Sequence, residues 1–163
     1  MVERAQAVEA VREGTTTFRA RDGRTLTGTL FTGSEVRASL VVNGGTAIPR
    51  GFYARFARYA ATRGFATLTY DYRGMGDSEG SQAQDVEEIF KDIRSAIDVF
   101  LKEAPHVREV ALWGLCGAAS AAALYTPGDS RVTGIAMLNP WVRTDRGRAR
   151  AQLRHYYLSR LMT

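Results

Sequence analysis

Val110-Ala111-Leu112-Trp113-Gly114-Leu115-Cys116-Gly117-Ala118-Ala119-Ser120 decides how the rest of the chain is read. An apolar run of strand type stops at Gly114, Cys116 follows two positions later, and alanine-rich helix begins directly after it. This small-x-nucleophile-x-small layout is that of a nucleophile elbow, where one residue sits on a sharp turn and strand and helix nearly touch. Its neighbours must lack bulk, a demand that Gly114, Gly117 and Ala118 meet. Cys116 takes the apex. The N–H of Gly117 and the start of the helix then face any negative charge that develops there. Taken alone, a single Cys in an apolar run is more often a small buried hydrophobe, so the surroundings have to decide.

Upstream, Thr15 to Arg19 and Leu26 to Phe31 flank the turn pair Asp22-Gly23 and predict an antiparallel hairpin. Ser39 to Val42 reads as a short buried strand that ends in Asn43-Gly44-Gly45-Thr46. Two glycines after a strand let the backbone bend and approach a ligand, and the loop in this place supplies a second oxyanion N–H in enzymes with an elbow. After Pro49, the residues Phe52, Tyr53, Phe56, Tyr59 and Ala60 share one face of a helix that ends at Gly64, and this aromatic face is expected in the core. Phe65 to Tyr70 is the next strand. It leads into Asp71-Tyr72-Arg73-Gly74-Met75-Gly76-Asp77-Ser78, a tight loop that Asp71 and Arg73 are expected to brace by charge-assisted hydrogen bonds. Its Gly-x-Gly lacks the remaining glycine and the helix of a dinucleotide site. Asp85 to Lys102 carries the 3.6-residue apolar period through five turns.

Downstream, Val132 to Leu138 forms another strand, closed by Asn139-Pro140-Trp141, and an Arg-rich helical pattern runs from Arg146 to the end. Strands alternating with helices after a hairpin predict an α/β fold with a mainly parallel sheet covered on both faces. Ligands in such sheets sit beyond the carboxyl ends of the strands. The segments Asn43 to Thr46, Asp71 to Gly80, Cys116 and Asn139 to Trp141 all follow strand ends, so one rim collects them. That convergence turns Cys116 from a packing residue into a candidate nucleophile. His106 precedes the elbow strand and therefore lies at the opposite end.

Bulk properties bound the alternatives. The 163 residues fit one domain with 45% apolar composition. No stretch has the length of a transmembrane helix and no apolar leader opens the chain, which makes a cytoplasmic location the default expectation. A single Cys excludes an internal disulfide and a Cys-rich metal site, and nothing calls for a metal or a cofactor. The net charge of +5 resides entirely in residues 141–163, which hold six Arg against one Asp. No nucleic-acid motif accompanies it. This tail is a solvated helix face, or it touches an anionic membrane surface or a protein partner.

The strand and loop ending in Asp71 to Ser78, together with the elbow, resemble the α/β-hydrolases. More narrowly, Asp71 to Gly80, Trp113 to Cys116, Leu138-Asn139-Pro140-Trp141-Val142-Arg143-Thr144 and His155-Tyr156-Tyr157-Leu158 look like the hydrolase 1 subfamily associated with the exosortase A system. The resemblance implies a Cys-His-Asp triad acting on acyl substrates, with Cys116 as nucleophile and Gly45 and Gly117 as oxyanion N–H donors. Gly44, Thr46 and Trp141 would line the substrate side, and exopolysaccharide or protein-sorting systems would be the setting. Residues 1–13 read as a short helix or loose arm, 14–140 as a hydrolase core, and the resemblance implies that 141–163 begins a lid helix.

In that fold the acid and the His come after two strands later than any seen here. The 163 residues therefore read as the front two-thirds of a hydrolase, with an incomplete triad and an uncovered last strand that favours self-association. Three functions remain open: a Cys-dependent ester or thioester hydrolase, a non-catalytic binding module of the same fold, and a reactive-thiol sensor.

Overall fold

The computed structural model describes residues 11–83 and 85–140. Its centre is a six-stranded sheet in the order β1-β2-β4-β3-β5-β6. Strands β1 (Arg12–Arg19) and β2 (Thr25–Thr32) form the expected hairpin, and β2 pairs antiparallel with β4 (Phe65–Tyr70). From there the sheet is parallel, through β3 (Ala38–Asn43), β5 (Val110–Leu115) and β6 (Val132–Leu138). The fold is an α/β-hydrolase-like sheet with an antiparallel edge.

The apolar runs that read as strands lacking polar alternation are buried on both faces. Val41 and Leu112 point to one side, where they join Leu68, Ile93, Ile97, Phe100 and Ala122. Leu40 and Val42 point to the other, with Tyr53, Ala111, Trp113 and Leu115. Helices α2 (Val86–Glu103) and α3 (Gly117–Tyr125) supply the first layer, and α1 (Ala54–Thr62) lies on the second. Asp85 caps α2 by accepting the Glu88 N–H at 2.9 Å, which satisfies one of the donors a helix start leaves free. No described helix is long and apolar enough to cross a membrane.

Helix α1 corrects the sequence reading. A 3₁₀ turn at Arg50–Tyr53 precedes it, and its inward residues are Ala57, Ala60 and Ala61 below Tyr53. Phe52, Phe56 and Tyr59 are exposed, at 70%, 38% and 59%. The alanines have the same helical period as the aromatics, and close approach of α1 to the sheet selects the small side.

The loop after β4 is braced as expected, but by different pairs. Asp71, fully buried, accepts the Arg50 N–H at 2.7 Å, the Arg50 guanidinium, and the Asp77 N–H at 3.3 Å. Arg73, also buried, donates to Asp92 on α2 at 2.7 Å and reaches Asp22 and Glu88 at 3.0 and 3.2 Å. Asp92 thus stands on the inward face of α2 as the partner that Arg73 requires. Hydrogen bonding to Asp92 raises the Arg73 pKa above its ordinary value, against the opposing effect of burial.

Candidate active site

Strand β5 delivers the elbow. Gly114, its fifth residue, faces the first turn of α3 so closely that a Cβ there would stand 2.5 Å from the Ala119 Cα and 2.8 Å from the Ala119 N. Only glycine fits that crossing. Gly117, by contrast, has open space around the same position, so its lack of a side chain is not forced by packing. Cys116 takes φ 54° and ψ −122°, a positive-φ conformation that a residue with a Cβ adopts at a cost. Its N–H donates to the Leu138 carbonyl at 2.9 Å, and its own carbonyl accepts from Ala119 and Ser120. The apex is therefore fixed from both sides, by β6 and by α3.

The sulfur is partly exposed. Among the described residues one polar group reaches it: the Asn139 carboxamide donates to Sγ at 3.6 Å. Asn139 itself sits at φ 47°, a region Asn tolerates better than most residues, and this turns its side chain from the end of β6 toward the elbow. In the sequence Asn139 stood only as part of a loop on the shared rim, and the signal that could have singled it out was an Asn directly after a strand and before Pro140.

The loop after β3 lies against the elbow, since the Cβ position of Gly45 is 3.4 Å from Leu115. The Gly45 N–H already has an acceptor: it donates to the Tyr53 hydroxyl at 2.8 Å. Gly44 is glycine because the Tyr53 ring packs on it, 2.8 Å from where a Cβ would be. The glycine pair thus makes room for an aromatic side chain from the start of α1. Thr46 is exposed in the following turn. Tyr53 also packs edge-on against Trp113, with ring centroids 5.5 Å apart. Burial raises its pKa, the Gly45 N–H works the other way, and nearby Cys116 adds to the rise.

Arg50 ties the same loop to the one after β4, since its guanidinium joins the Asp71 and Asp77 carboxylates, the latter at 2.7 Å, and reaches the Thr29 hydroxyl at 3.2 Å. Asn43 closes the three central strands, because its amide donates to the Trp113 carbonyl at 3.2 Å and its Oδ1 accepts from the Tyr70 hydroxyl at 2.8 Å. Neither Arg50 nor Tyr53 was singled out in the sequence, where Tyr53 stood only as part of an aromatic stripe.

His106 lies with Arg37, Ala38, Glu109 and Thr133 beyond the amino ends of the strands, away from Cys116. It is the only His among the described residues. Trp141, Asp145, His155 and the Arg-rich helical pattern lie outside the described residues.

Residues 34–163 match the family described as serine aminopeptidase, S33. The polyketide transferase grgF of a Penicillium species is 31% identical over 130 residues, which is 77% of this chain and 44% of that protein. Among solved structures, the α/β hydrolase GrgF from Penicillium sp. sh18 superposes with a TM-score of 0.74 at 26% identity, over 92% of this chain and 54% of that one. DcsB, solved with a substrate analogue, gives a TM-score of 0.74 at 21% identity, over 93% and 55% of the two chains. The chain thus spans about half the length of these relatives.

Proposed function

Because the chain belongs to the serine aminopeptidase S33 family of the α/β-hydrolase superfamily, we propose that it carries the nucleophile half of an acyl-transferring hydrolase in which Cys116 attacks an ester or thioester. The observation that carries this reading is the strained apex: a cysteine at positive φ, held by β6 and α3, with an amide N–H on its sulfur. Such geometry costs stability, and it presents a nucleophile beyond the strand ends. The family description speaks of a serine, and the elbow of this chain places a thiol there.

In the proposed reaction a base takes the Cys116 thiol proton and later passes it to the leaving group, while the Cys116 sulfur bonds to the acyl carbon and the carbonyl π pair moves to oxygen. The Gly117 N–H meets the resulting oxyanion. The tetrahedral intermediate then expels the alcohol or thiol, and water, or a second nucleophile as the transferase name of the Penicillium relative suggests, releases the acyl group. Gly44, Gly45 and Thr46, on the loop that lies against the elbow, would line the substrate side, and Trp141 is proposed as a further substrate contact. The base and the acid come from outside the described residues. A small-molecule acyl compound is the substrate class, and Asp71 to Gly80 with Trp113 to Cys116 support a place beside the exosortase A-associated hydrolases and their exopolysaccharide chemistry. The basic segment 141–163 would serve as lid and as contact to a membrane surface or protein.

Intact mass before and after incubation with a p-nitrophenyl ester tests this. The expected result is a single acyl adduct that is absent in Cys116→Ala. A wild-type chain that takes up iodoacetamide at Cys116 but never an acyl group would leave the elbow as the relic of a binding module.

A further inference from the structure

Two backbone N–H groups, from Gly45 and Gly117, would make the oxyanion hole of such a site, yet one of them is engaged. The Gly45 N–H donates to the Tyr53 hydroxyl at 2.8 Å. Tyr53 is only 4% exposed, its ring packs flush on Gly44 and edge-on to Trp113, and this placement leaves its hydroxyl little freedom to turn away. Among the described residues nothing accepts the Tyr53 proton. Its O–H is thus a donor polarised from behind by a backbone N–H, on the loop that touches the elbow.

Resting on the reading of Cys116 as an acyl-accepting nucleophile, we propose that Tyr53 is a catalytic residue whose hydroxyl, backed by the Gly45 N–H, is the second oxyanion donor beside the Gly117 N–H. The Gly45 N–H that backs the phenol belongs to the residue whose Cβ position lies 3.4 Å from Leu115, the neighbour of Cys116 in the elbow. As the C–S bond forms, the carbonyl pair moves to oxygen and that oxygen accepts the Tyr53 O–H. Tyr53 keeps its proton throughout, because its raised pKa makes it a donor and not an acid. When the pair returns, the bond from the acyl carbon to the leaving group breaks, C–O in an ester or C–S in a thioester, and the leaving group departs with that bond's electron pair. No redox partner is needed.

A phenol donor on the β3 loop suits acyl compounds whose attack places full charge on a carbonyl oxygen, esters and thioesters, and gives nothing to reactions that form no oxyanion. That contrast is the test. In the full chain, acylation by p-nitrophenyl butyrate and alkylation by iodoacetamide are followed at Cys116 for wild type and Tyr53→Phe, which keeps the ring packing. Loss of one oxyanion donor slows acylation by about 100-fold, and alkylation, which passes through no oxyanion, stays at the wild-type rate.

Equal slowing of both reactions would mean that Tyr53 only shapes the thiol's surroundings, and acylation at or above the wild-type rate would mean that the phenol merely plugs the Gly45 N–H. Either result overturns the assignment. A wild-type chain that alkylates but does not acylate removes the nucleophile reading itself, and Tyr53 with it. Should Tyr53→Phe fail to fold, 3-fluorotyrosine at position 53 decides: a more acidic phenol donates more strongly, so faster acylation at constant alkylation supports the donor, and an unchanged rate refutes it.

Discussion

Cys116 holds its positive φ because three neighbours leave it no choice: Leu138 takes its N–H, α3 takes its carbonyl, and Gly114 lets α3 press against β5. A conformation of this kind costs about 1–3 kcal/mol in a residue with a Cβ. Glycine relieves the strain but adds chain entropy to the unfolded state, which offsets part of the gain. Cys116→Gly is therefore expected to stabilise the chain by about 1 kcal/mol, a rise in Tm of about 2–4 °C, while it abolishes the acyl adduct. Cys116→Ser keeps the Cβ and the strain, and its Tm should stay near that of wild type. Differential scanning calorimetry of the three proteins checks this, and a Cys116→Gly protein no more stable than Cys116→Ser would show that the apex is relaxed. The elbow was legible in the sequence because its constraint is local: a crossing as tight as that of Gly114 over Ala119 leaves a small residue in the chain. Tyr53 was not, because its partner is a backbone N–H eight positions away that leaves no mark on side-chain identity.

At the level of elements the same division holds. The strands and α2 could be read from period and capping, since Asp85 and the apolar face of α2 are local facts. Helix α1 could not be oriented, because Phe52, Phe56 and Tyr59 have the period of a buried face while the alanines, with the same period, do the packing. Asp92 shows the converse, an acid on an inward face that only its tertiary partner explains. Removing it leaves Arg73 charged, buried, and short of its main acceptor. Asp92→Ala should cost about 3 kcal/mol, and the double variant Arg73→Met/Asp92→Ala should recover part of that, because an apolar pair replaces a stranded charge. Urea denaturation would show it, and a double variant less stable than Asp92→Ala would contradict it.

A second ionic joint sits between α3 and β6. Arg131 donates to Asp129 at 2.7 Å and to Asp98 on α2 at 2.6 Å, and the Tyr125 hydroxyl donates to Asp129. Hydrogen bonding to Arg131 first, and to Tyr125 after the opposing effect of burial, holds the Asp129 carboxyl well below its ordinary value. The Tyr125 phenol is pushed up to about 12, chiefly by burial. A carboxyl depressed in the folded state contributes its stability above the ordinary carboxylate range near pH ~4 and loses it as pH falls further. The Tm gap between wild type and Asp129→Asn should thus be constant from pH 7 to about 5 and narrow below about 4. A gap that widened on acidification would reverse the sign of the shift.

On the scale of the whole molecule, the two sides of the sheet end differently. The β1 edge is a hairpin strand of Arg, Glu and Thr side chains, largely exposed and polar, which resists edge-to-edge pairing. The β6 edge is the opposite: beyond Val132 most of its side chains are exposed, among them Ile135, Met137 and Leu138 at 37%, 46% and 44%. Among the described residues nothing pairs with its outer side. An apolar edge with no strand partner among the described residues is a template for pairing, and a second copy of the chain is the partner that purified protein offers. The 163-residue chain is therefore expected to sediment as dimers or larger species at micromolar concentration, well above its 17.9 kDa. Ile135→Lys/Met137→Lys, which puts like charges on the exposed edge so that two copies repel, should return it to monomer without loss of the sheet's circular dichroism signal. The physical content is that burial on this edge is worth roughly 25 cal/mol per Å² of apolar surface, available to any partner that also satisfies the β6 backbone. A wild-type chain that stays monomeric and melts cooperatively would show that this edge needs no cover, and the charged variant would then change nothing but its solubility.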